Sequence, residues 1–351
     1  MPSWFLMAPP GLEPVVAREL DREAEMVPGG VRFSAPLAEG LALARMLRTP
    51  SRMLLELSTG RARSLQDLGD LVAAIDWAPF LDRRMPLAIH VNGSALGRRD
   101  VVEKKVAHVL EATLAKGRPG PPPPEQGVYV RVADDVSISL DVGGLLHKRG
   151  WRTEQGKAPL RENFAACLLI AAGFTGAGPL LDPFCGSGTI PIEAALLAAG
   201  RSPFTRDRVF PADAWPCAPR RSETRGGRHG VLAGSDSSAM EIDRARRNAQ
   251  RAGVSVELDV RTVDRVDRIG DAGLVVANPP YGERLGKDVR GVYAAFGRVL
   301  RERLADWDAV FLAPDERLAA TVDRDVERIT TFQNGGLRVG VYARTGGGGP
   351  T

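Results

Sequence analysis

Hydrophobic and polar positions form short runs through the first 145 residues. Trp4 to Met7 is a brief apolar run and Arg52 to Ser58 alternates as a strand does, whereas Leu37 to Leu47 has the spacing of an amphipathic helix. Similar runs predict further strands at 31–33, 87–91, 128–132 and 136–140, and further helices at 11–21, 65–75 and 101–114. This mixed order predicts two small α/β units in series, at about 1–60 and 61–145.

The order of the predicted elements changes in the second half. Apolar strands alternate with helices there: strands at 179–181, 231–234, 254–258, 274–277 and 309–312, and helices at 190–199, 239–252 and 292–304. A βαβα order predicts a parallel sheet with helices on both faces. At the end, residues 328–332 and the alternating positions 337–341 flank Asn334-Gly335, which predicts an antiparallel hairpin.

Length and composition restrict the class of protein. The 351 residues are enough for two or three domains, and no apolar run reaches the 18 residues that a membrane span needs. The apolar start lacks basic residues and is interrupted by prolines, so it does not resemble a secretory signal. The three cysteines, at 167, 185 and 217, are too few and too scattered for a disulfide framework or a zinc site. We therefore expect a cytoplasmic protein that needs no metal.

The net charge of +4 is unevenly distributed. Residues 201–230 contain seven arginines against Asp207, Asp213 and Glu223, an excess equal to that of the whole chain. This segment is rich in proline and glycine and has no periodicity, which indicates an irregular insertion. Such an insertion is either a solvated loop or a contact to phosphates. We predict that its arginines contact an RNA backbone.

A glycine-containing turn lies between a predicted strand and a helix, in DPFCGSGT at 182–189. Gly186 and Gly188 allow a ligand to approach the backbone at a helix N-terminus. The third glycine of a dinucleotide fingerprint is replaced by Pro191, and the Gly-Lys-Ser/Thr of a P-loop is absent. The leading carboxylate, Asp182, suits a ligand with a cationic amine, such as S-adenosylmethionine. On its own, however, a tight turn of this kind is a weak indication.

Acidic residues follow the next two strands. Asp236 stands where a carboxylate can accept hydrogen bonds from ribose hydroxyls, although a helix N-cap is the structural alternative. Asp264 is the candidate for contacting the amine of adenine, and Asp259 competes with it for that role.

The strongest chemical signal is Asn278-Pro279-Pro280-Tyr281, directly after a predicted strand. Two prolines cannot continue a central strand, so the chain must leave the sheet at its carboxyl edge, where α/β proteins bind ligands. An aromatic amine is a weak nucleophile because its lone pair is delocalised. Hydrogen bonds to the Asn278 side-chain oxygen and the Pro279 carbonyl would favour its attacking form, and Tyr281 offers a ring for stacking an extruded base.

Cytosine-C5 methylation would require a Pro-Cys nucleophile, and Pro216-Cys217 is present. It lies in the irregular insertion, however, and the strand edge where the nucleophile would be needed holds Asn278 to Tyr281. We therefore expect no thiol catalysis.

These motifs resemble the class I RNA methyltransferases that carry a THUMP domain, which include guanine-N2 enzymes acting on large-subunit rRNA and stand-alone enzymes acting on tRNA. The resemblance is carried by DPFCGSGTIPIE at 182–193 and NPPYGERLG at 278–286. Further similar segments occur in the family's order: IDW at 75–77, DVGG at 141–144, LHKRGW at 146–151, APLREN at 158–163 and Asn334-Gly335.

The resemblance implies an α/β fold whose Rossmann-like class I methyltransferase sheet ends in an antiparallel hairpin and follows a ferredoxin-like unit and a THUMP domain. The implied boundaries are 1–60 for the ferredoxin-like unit, 61–145 for THUMP, 146–165 for a linker, 166–345 for the methyltransferase domain and 346–351 for a flexible tail.

Site residues also follow from the resemblance. The implied contacts to S-adenosyl-L-methionine are Leu160, Asp182, Phe184, Gly186, Gly188, Asp236, Asp264 and Asn278, and the implied catalytic residues are Asn278, Pro279 and Tyr281. Two departures stand out. Ser238 occupies a place where the family often has a second acid, and the additional methyltransferase domain of many rRNA enzymes is absent from this sequence.

The sequence thus predicts an S-adenosylmethionine-dependent RNA methyltransferase that modifies an exocyclic base amine, with guanine N2 in tRNA or rRNA favoured. RNA is the expected partner, and nothing indicates a membrane or an obligate protein partner. The alternatives are an adenine-N6 methyltransferase acting on DNA or RNA, a protein-glutamine methyltransferase, and a catalytically inactive RNA-binding protein. The target nucleotide stays open.

Overall fold

A computed structural model describes residues 1–93, 95–117, 123–154, 160–218, 230–281, 288–334 and 336–347. Its strands form two seven-stranded sheets, one from each half of the chain. Among the described residues, no helix has both the length and the apolar character needed to cross a bilayer.

The described part of the first half contains seven strands and four helices. In chain order these are β1 (Ser3–Met7), α1 (Glu13–Leu20), β2 (Glu25–Val27), β3 (Gly30–Ser34), α2 (Leu37–Ala44), β4 (Arg52–Gly60), α3 (Leu65–Ala73), β5 (Leu87–Asn92), α4 (Arg99–Thr113), β6 (Gln126–Val132) and β7 (Val136–Asp141). The sheet order is β2-β3-β1-β4-β7-β6-β5, and only the pair β5–β6 is parallel.

Strand β4 joins the two α/β units predicted from the sequence. Residues 52–56 pair with β1, while residues 54–60 pair with β7 on the other side. The two units consequently share one sheet and one buried core. The local patterns predicted every strand of this sheet except the short β2, but they did not predict this joining, because pairing between distant strands leaves no local signature.

The described part of the second half contains seven strands and five helices. They are α5 (Glu162–Ala171), β8 (Leu180–Asp182), α6 (Thr189–Ala198), β9 (Leu232–Asp236), α7 (Ala239–Ala252), β10 (Glu257–Val260), β11 (Leu274–Ala277), α8 (Val289–Glu302), β12 (Asp308–Ala313), α9 (Glu316–Val322), β13 (Glu327–Asn334) and β14 (Leu337–Arg344). The order is β10-β9-β8-β11-β12-β14-β13. The first five strands are parallel and β14 is antiparallel to both neighbours, which confirms the predicted parallel sheet and terminal hairpin.

Three elements of this half differ from the sequence prediction, since neither α5 nor α9 was predicted and β10 begins later than expected. The strand predicted from Val254 begins only at Glu257, because Gly253 ends α7 in a left-handed conformation and the Val254 N–H still bonds to Ala249. Helix α5 was not predicted. Its residues 162–169 are all buried, so it lacks the polar face that gives a surface helix its period, and it begins inside the segment expected to be linker.

Buried charges connect the two halves. The fully buried guanidinium of Arg149 donates to the Glu193 carboxylate at 3.0 Å and to the carbonyl of Arg48 at 2.6 Å. Glu193 lies on α6 and is itself fully buried, and the Arg48 guanidinium is 3.9 Å from its second oxygen. The two arginines and the glutamate therefore form a dry ionic contact between the two sheets.

The described part of the predicted insertion, residues 201–218, packs along the first half rather than forming a solvated loop. Phe204, Phe210 and Trp215 are buried in the core of the first half, and the Trp215 indole N–H donates to Gln126 at 2.7 Å. Phe204 and Phe210 pack edge-on with ring centroids 5.0 Å apart, and Trp215 packs against Phe80 at 5.3 Å, so these tertiary contacts set their positions and no helical or strand repeat does. That is why the segment has no periodicity in the sequence.

The arginines of this insertion have structural partners where they are described. Arg201 donates to the carbonyls of Ala252 and Gly253, and Arg208 donates to the carbonyls of Gly143, Lys148 and Val209. Arg206, another insertion arginine expected to contact RNA, is also engaged in an interaction. The four remaining arginines, at 220, 221, 225 and 228, lie outside the described residues.

Candidate active site

The predicted site residues meet at one edge of the second sheet. Asp182 ends β8, Asp236 ends β9 and Asn278 directly follows β11. These strands are neighbours in the parallel part of the sheet, so their carboxyl ends lie side by side. Ligands of α/β proteins bind at this edge.

Glycines allow the loop between β8 and α6 to adopt its shape. Gly186 and Gly188 have φ values of +52° and +85°, in the left-handed region. A Cβ on Gly188 would lie 2.9 Å from the Cβ of Ala245, so this glycine permits α6 to pack against α7. A Cβ on Gly186 would meet no atom within 4 Å. The backbone at Gly186 is thus open to a ligand, whereas Gly188 serves the packing of the loop.

Asp236 ties this loop to the neighbouring strand. One carboxylate oxygen accepts the Gly186 N–H at 3.2 Å and the other accepts the Ser238 N–H at 2.8 Å. The N-cap of α7 is Ser238, whose hydroxyl accepts the Glu241 N–H at 3.4 Å, so Asp236 does not have the N-cap role that was its structural alternative. A carboxylate has about four acceptor sites, so each oxygen can accept a further hydrogen bond.

Asp182 is almost completely buried, and its carboxylate accepts the N–H of Phe184 at 3.0 Å. Burial raises the pKa of Asp182 well above its ordinary value, and the nearby Asp236 adds to the rise. A cationic ligand group beside Asp182 would favour its ionised form. The ring of Phe184 is half-buried and packs edge-on against Phe296, with ring centroids 5.4 Å apart.

The two candidates for the adenine-contacting acid have different environments. Asp259 lies within β10 and forms an exposed ion pair with Arg261 at 2.8 Å. Asp264 lies in a 3-10 turn beyond the strand, where its pKa is lowered, chiefly by a hydrogen bond from Thr262. The Arg261 N–H donates to the Asp236 carbonyl at 3.0 Å, which ties the segment leading to Asp264 to the site.

The Asn278 side chain presents a buried acceptor. Its Oδ1 atom is inaccessible to solvent and has no hydrogen-bond partner among the described residues. A buried carbonyl oxygen without a partner costs free energy, and native structures retain few of them. Pro279, also buried, fixes the backbone that follows. The remainder of the motif, residues 282–286, lies outside the described residues.

Tyr281 is held by a residue from the terminal hairpin. The Asn334 amide at the end of β13 donates to the Tyr281 hydroxyl at 2.6 Å. Burial raises the pKa of the Tyr281 phenol, so the hydroxyl stays protonated. In the sequence, Asn334-Gly335 was identified only as a hairpin turn that resembles a family landmark. Gly335 lies outside the described residues. The structure brings Asn334 to the active-site edge.

Leu160 is connected to the glycine loop through Arg152, which no sequence motif singled out. The Arg152 guanidinium donates to the Leu160 carbonyl at 2.6 Å, to the Thr189 hydroxyl at 3.2 Å and to the Glu162 carboxylate at 2.8 Å. Burial raises the pKa of Glu162, and Arg152 opposes that rise. Leu160 and Glu162 belong to the family-like segment at 158–163, but no motif marks Arg152, because its partner Thr189 is 37 positions away. Ala158 and Pro159, which precede Leu160, lie outside the described part.

The cysteines are unsuited to nucleophilic catalysis. Burial raises the pKa of Cys185 well above its ordinary value, and Asp182 and Asp236 raise it further. Burial also raises the pKa of Cys217, whose N–H bonds to Pro79 in the first half, away from the sheet edge. Both thiols therefore stay protonated, and a thiolate is the form that attacks.

The linker residue His147 should make stability sensitive to acid. Burial lowers its pKa from 6.5 to about 4, and Arg161 and Arg149 add to the decrease. Between these values the unfolded chain binds a proton that the folded chain does not, so the free energy of unfolding falls as the pH falls below 6.5. Because the ring is partly exposed, solvent screening limits the loss to about 1 kcal/mol at pH 5.

Urea unfolding at pH 7 and pH 5 measures this loss. His147→Gln should reduce the decrease between the two pH values by that amount, whereas His108→Gln on the exposed side of α4 should leave it unchanged. An equal decrease in wild type and His147→Gln would contradict the assignment.

The architecture defines the class. Counted from β8, the second sheet has the strand order 3-2-1-4-5-7-6 with the seventh strand antiparallel, and a glycine loop follows the first strand. This is the class I methyltransferase fold.

A family model described as "UPF0020: RMKL-like, methyltransferase domain" matches residues 149–340, and the chain belongs to this family. The Ribosomal RNA large subunit methyltransferase K/L of Methylococcus capsulatus is 32% identical over 374 residues, which cover 97% of this chain and 50% of that protein. The chain thus spans about half the length of the curated relatives it matches.

Solved structures resemble the chain along its whole length. The crystal structure of SMU.472 complexed with SAH has a TM-score of 0.83 at 24% identity and covers 99% of both chains. The structure of a predicted N6-adenine-specific DNA methylase from Listeria monocytogenes str. 4b F2365 has a TM-score of 0.80 at 26% identity, covering 98% of this chain and 96% of that one. The structural similarity covers both halves of the chain.

Proposed function

We propose that the protein is an S-adenosylmethionine-dependent RNA methyltransferase that modifies an exocyclic base amine, with guanine N2 as the favoured acceptor. The observation that carries this proposal is the buried Oδ1 of Asn278 at the sheet edge, beside the glycine loop, which has no hydrogen-bond partner among the described residues. Such an oxygen can accept a hydrogen bond from an amine N–H.

The residues around the glycine loop fit the proposed cofactor. Gly186 leaves open space beside its backbone, and the Asp236 oxygens retain acceptor sites for ribose hydroxyls. Asp264 is the favoured candidate for the adenine amine, because the hydrogen bond from the Arg261 N–H to the Asp236 carbonyl holds its segment next to the site, whereas the Asp259 carboxylate forms an exposed ion pair. The set proposed from the family resemblance is completed by Leu160, Asp182, Phe184, Gly188 and Asn278. When bound, the cofactor supplies a methyl group on a sulfonium.

The residues after β11 would prepare the acceptor. Asn278 Oδ1 and the Pro279 carbonyl would accept the two N–H groups of the base amine and direct its lone pair towards the cofactor side of the edge. Stacking of an extruded base on the Tyr281 ring would contribute about 1–3 kcal/mol. Asn334 would hold that ring through its hydrogen bond to the hydroxyl. Catalysis would depend on positioning and electrostatics, without a covalent intermediate on the protein.

The names of the curated relatives favour RNA, and rRNA in particular, as the substrate class. We propose residues 61–145 as a THUMP domain that contributes to RNA binding, on the family resemblance of the IDW and DVGG segments. The protein would then act in the cytoplasm, where tRNA and rRNA are found. No protein partner is required by this proposal.

Adenine-N6 methylation is the second candidate. The Asn278 and Pro279 acceptors would suit an adenine amine as well as a guanine amine, and the Listeria neighbour is named as an N6-adenine-specific DNA methylase.

Nucleoside analysis separates the two candidates. Total RNA and DNA are isolated from a strain lacking this protein, digested to nucleosides and measured by mass spectrometry. The RNA should contain less N2-methylguanosine than the RNA of the parent strain. Incubating that RNA with the purified protein and labelled S-adenosylmethionine should restore it. Loss of N6-methyladenine alone would favour the second candidate, and no change in any methylated nucleoside would contradict both.

A further inference from the structure

A basic cleft lies apart from the glycine loop, where the first sheet faces the start of the second half. Its volume is about 810 Å³. Six basic and three acidic side chains line it: Arg52, Lys148, Arg149, Arg152, Arg161 and Arg208 against Glu125, Asp141 and Glu162. The volume is within the range of about 300–1,000 Å³ that is typical of ligand sites. Its mainly charged lining suits an anion rather than an apolar ligand.

Four of these cations already have structural partners. Arg52 pairs with Asp141, Arg149 with Glu193 and Arg152 with Glu162, while Arg208 donates to three backbone carbonyls. Their geometry is set by the protein itself. They shape the cleft, and they are poor candidates for binding a ligand.

Lys148 and Arg161 differ from these four arginines. Both are exposed, and within the described part of the chain neither has a carboxylate at ion-pair distance. Arg161 only approaches the ring of Phe164, at 6.0 Å from its guanidinium carbon to the ring centroid. Among the described residues, Lys148 and Arg161 are therefore the cations of the cleft that are free to bind a ligand, while the exposed carboxylate of Glu125 also lines the cleft and opposes part of their charge.

The cleft also offers an aromatic surface. His90 on the edge strand β5 lies in register with Tyr129 on β6, and their ring centroids are 4.5 Å apart. The Arg52 guanidinium lies over the same tyrosine at 5.5 Å. His90 is exposed and lines the cleft. A flat ring beside free cations is the combination that binds an unpaired nucleotide, since bases stack on rings and phosphates contact cations.

We propose that this cleft is a second RNA-contacting site, which binds an unpaired nucleotide of the substrate with its phosphates at Lys148 and Arg161 and its base against His90. This inference rests on the proposed function in taking the substrate to be RNA. The cleft adjoins Arg152, which donates to Thr189 at the start of α6, so a strand held here would lie close to the catalytic half.

Binding of a fluorescent single-stranded RNA oligonucleotide tests the proposal. Lys148→Ala with Arg161→Ala should weaken binding about tenfold at 0.15 M salt. It should also reduce the slope of log affinity against log salt by about 1.4, which corresponds to two phosphate contacts on a single strand. His90→Ala should weaken binding about tenfold with the slope unchanged, because stacking releases no counterions. The matched control is Arg317→Ala with Arg324→Ala, two exposed cations outside the cleft, which should change neither quantity.

Unchanged affinity and slope in the cleft variants would overturn the proposal, as would equal losses in the control. Displacement of the RNA by millimolar inorganic phosphate at constant ionic strength would also overturn it, because the site would then recognise a free phosphate. The nucleoside analysis above is independent of these readouts. If the wild-type protein methylates RNA and substitution of Lys148 and Arg161 leaves RNA binding unchanged, only the proposal for the cleft is disproved. If RNA binding depends on the cleft but no RNA is methylated, the proposed function is disproved.

Discussion

Asn278→Ala should lower the rate of methyl transfer by about 10²–10³-fold while the affinity for S-adenosylmethionine changes by less than about threefold. The substitution removes the oxygen that would accept the target amine, but it leaves the glycine loop and Asp236 intact. It also removes a buried acceptor that has no partner among the described residues, so the melting temperature should stay the same or rise. Single-turnover methylation, calorimetric titration and thermal melting measure the three quantities.

Asn278→Asp is the informative companion variant. It keeps an oxygen acceptor at almost the same position and should retain more activity than Asn278→Ala, although burying a charge should lower its stability. Equal loss of cofactor binding and of transfer in Asn278→Ala, together with a lower melting temperature, would show that the Asn-Pro-Pro-Tyr segment is a structural turn.

Glu193→Ala should lower the free energy of unfolding by about 3–5 kcal/mol. The change leaves the guanidinium of Arg149 buried without its carboxylate, at a place where Arg48 lies close as well. Neither Arg149 nor Glu193 has any exposed surface, so the guanidinium that stays behind lies in the protein interior. Urea unfolding monitored by far-ultraviolet circular dichroism measures the loss.

An exposed ion pair provides the matched control. Glu316→Ala removes the partner of Arg328, whose side chain is 50% exposed, and should cost less than about 1 kcal/mol. In the buried pair, Glu193→Leu combined with Arg149→Met should recover part of the lost stability, because Arg149 no longer stays behind unpaired and Arg48 keeps its hydrogen bonds to the carbonyls of Leu196 and Arg201. If Glu193→Ala costs no more than Glu316→Ala, the ionic contact does not stabilise the junction of the two halves.

Local features of the sequence were sufficient for the parallel sheet and for the positions of the main site motifs. The glycine turn at 186–188 and the paired prolines at 279–280 act through backbone conformation, which each segment carries with it. Once the order of strands and helices predicts a parallel sheet, the ends of β8, β9 and β11 must meet at one edge. The strand order and the motifs therefore suffice to place Asp182, Asp236 and Asn278 together.

Other features follow only from contacts between distant residues. One sheet forms across the first half because β4 pairs on both sides, and the segment 201–218 packs against the first half because its aromatic residues are buried in the core of that half. Arg152, Asn334 and the free cations of the cleft acquire their roles in the same way. By itself the sequence determined backbone turns, periodicity and the edge where chemistry is expected, because these depend on neighbouring residues. The tertiary structure alone decided which charges are compensated and which side chains meet, because hydrogen bonding and burial depend on residues far apart in the chain.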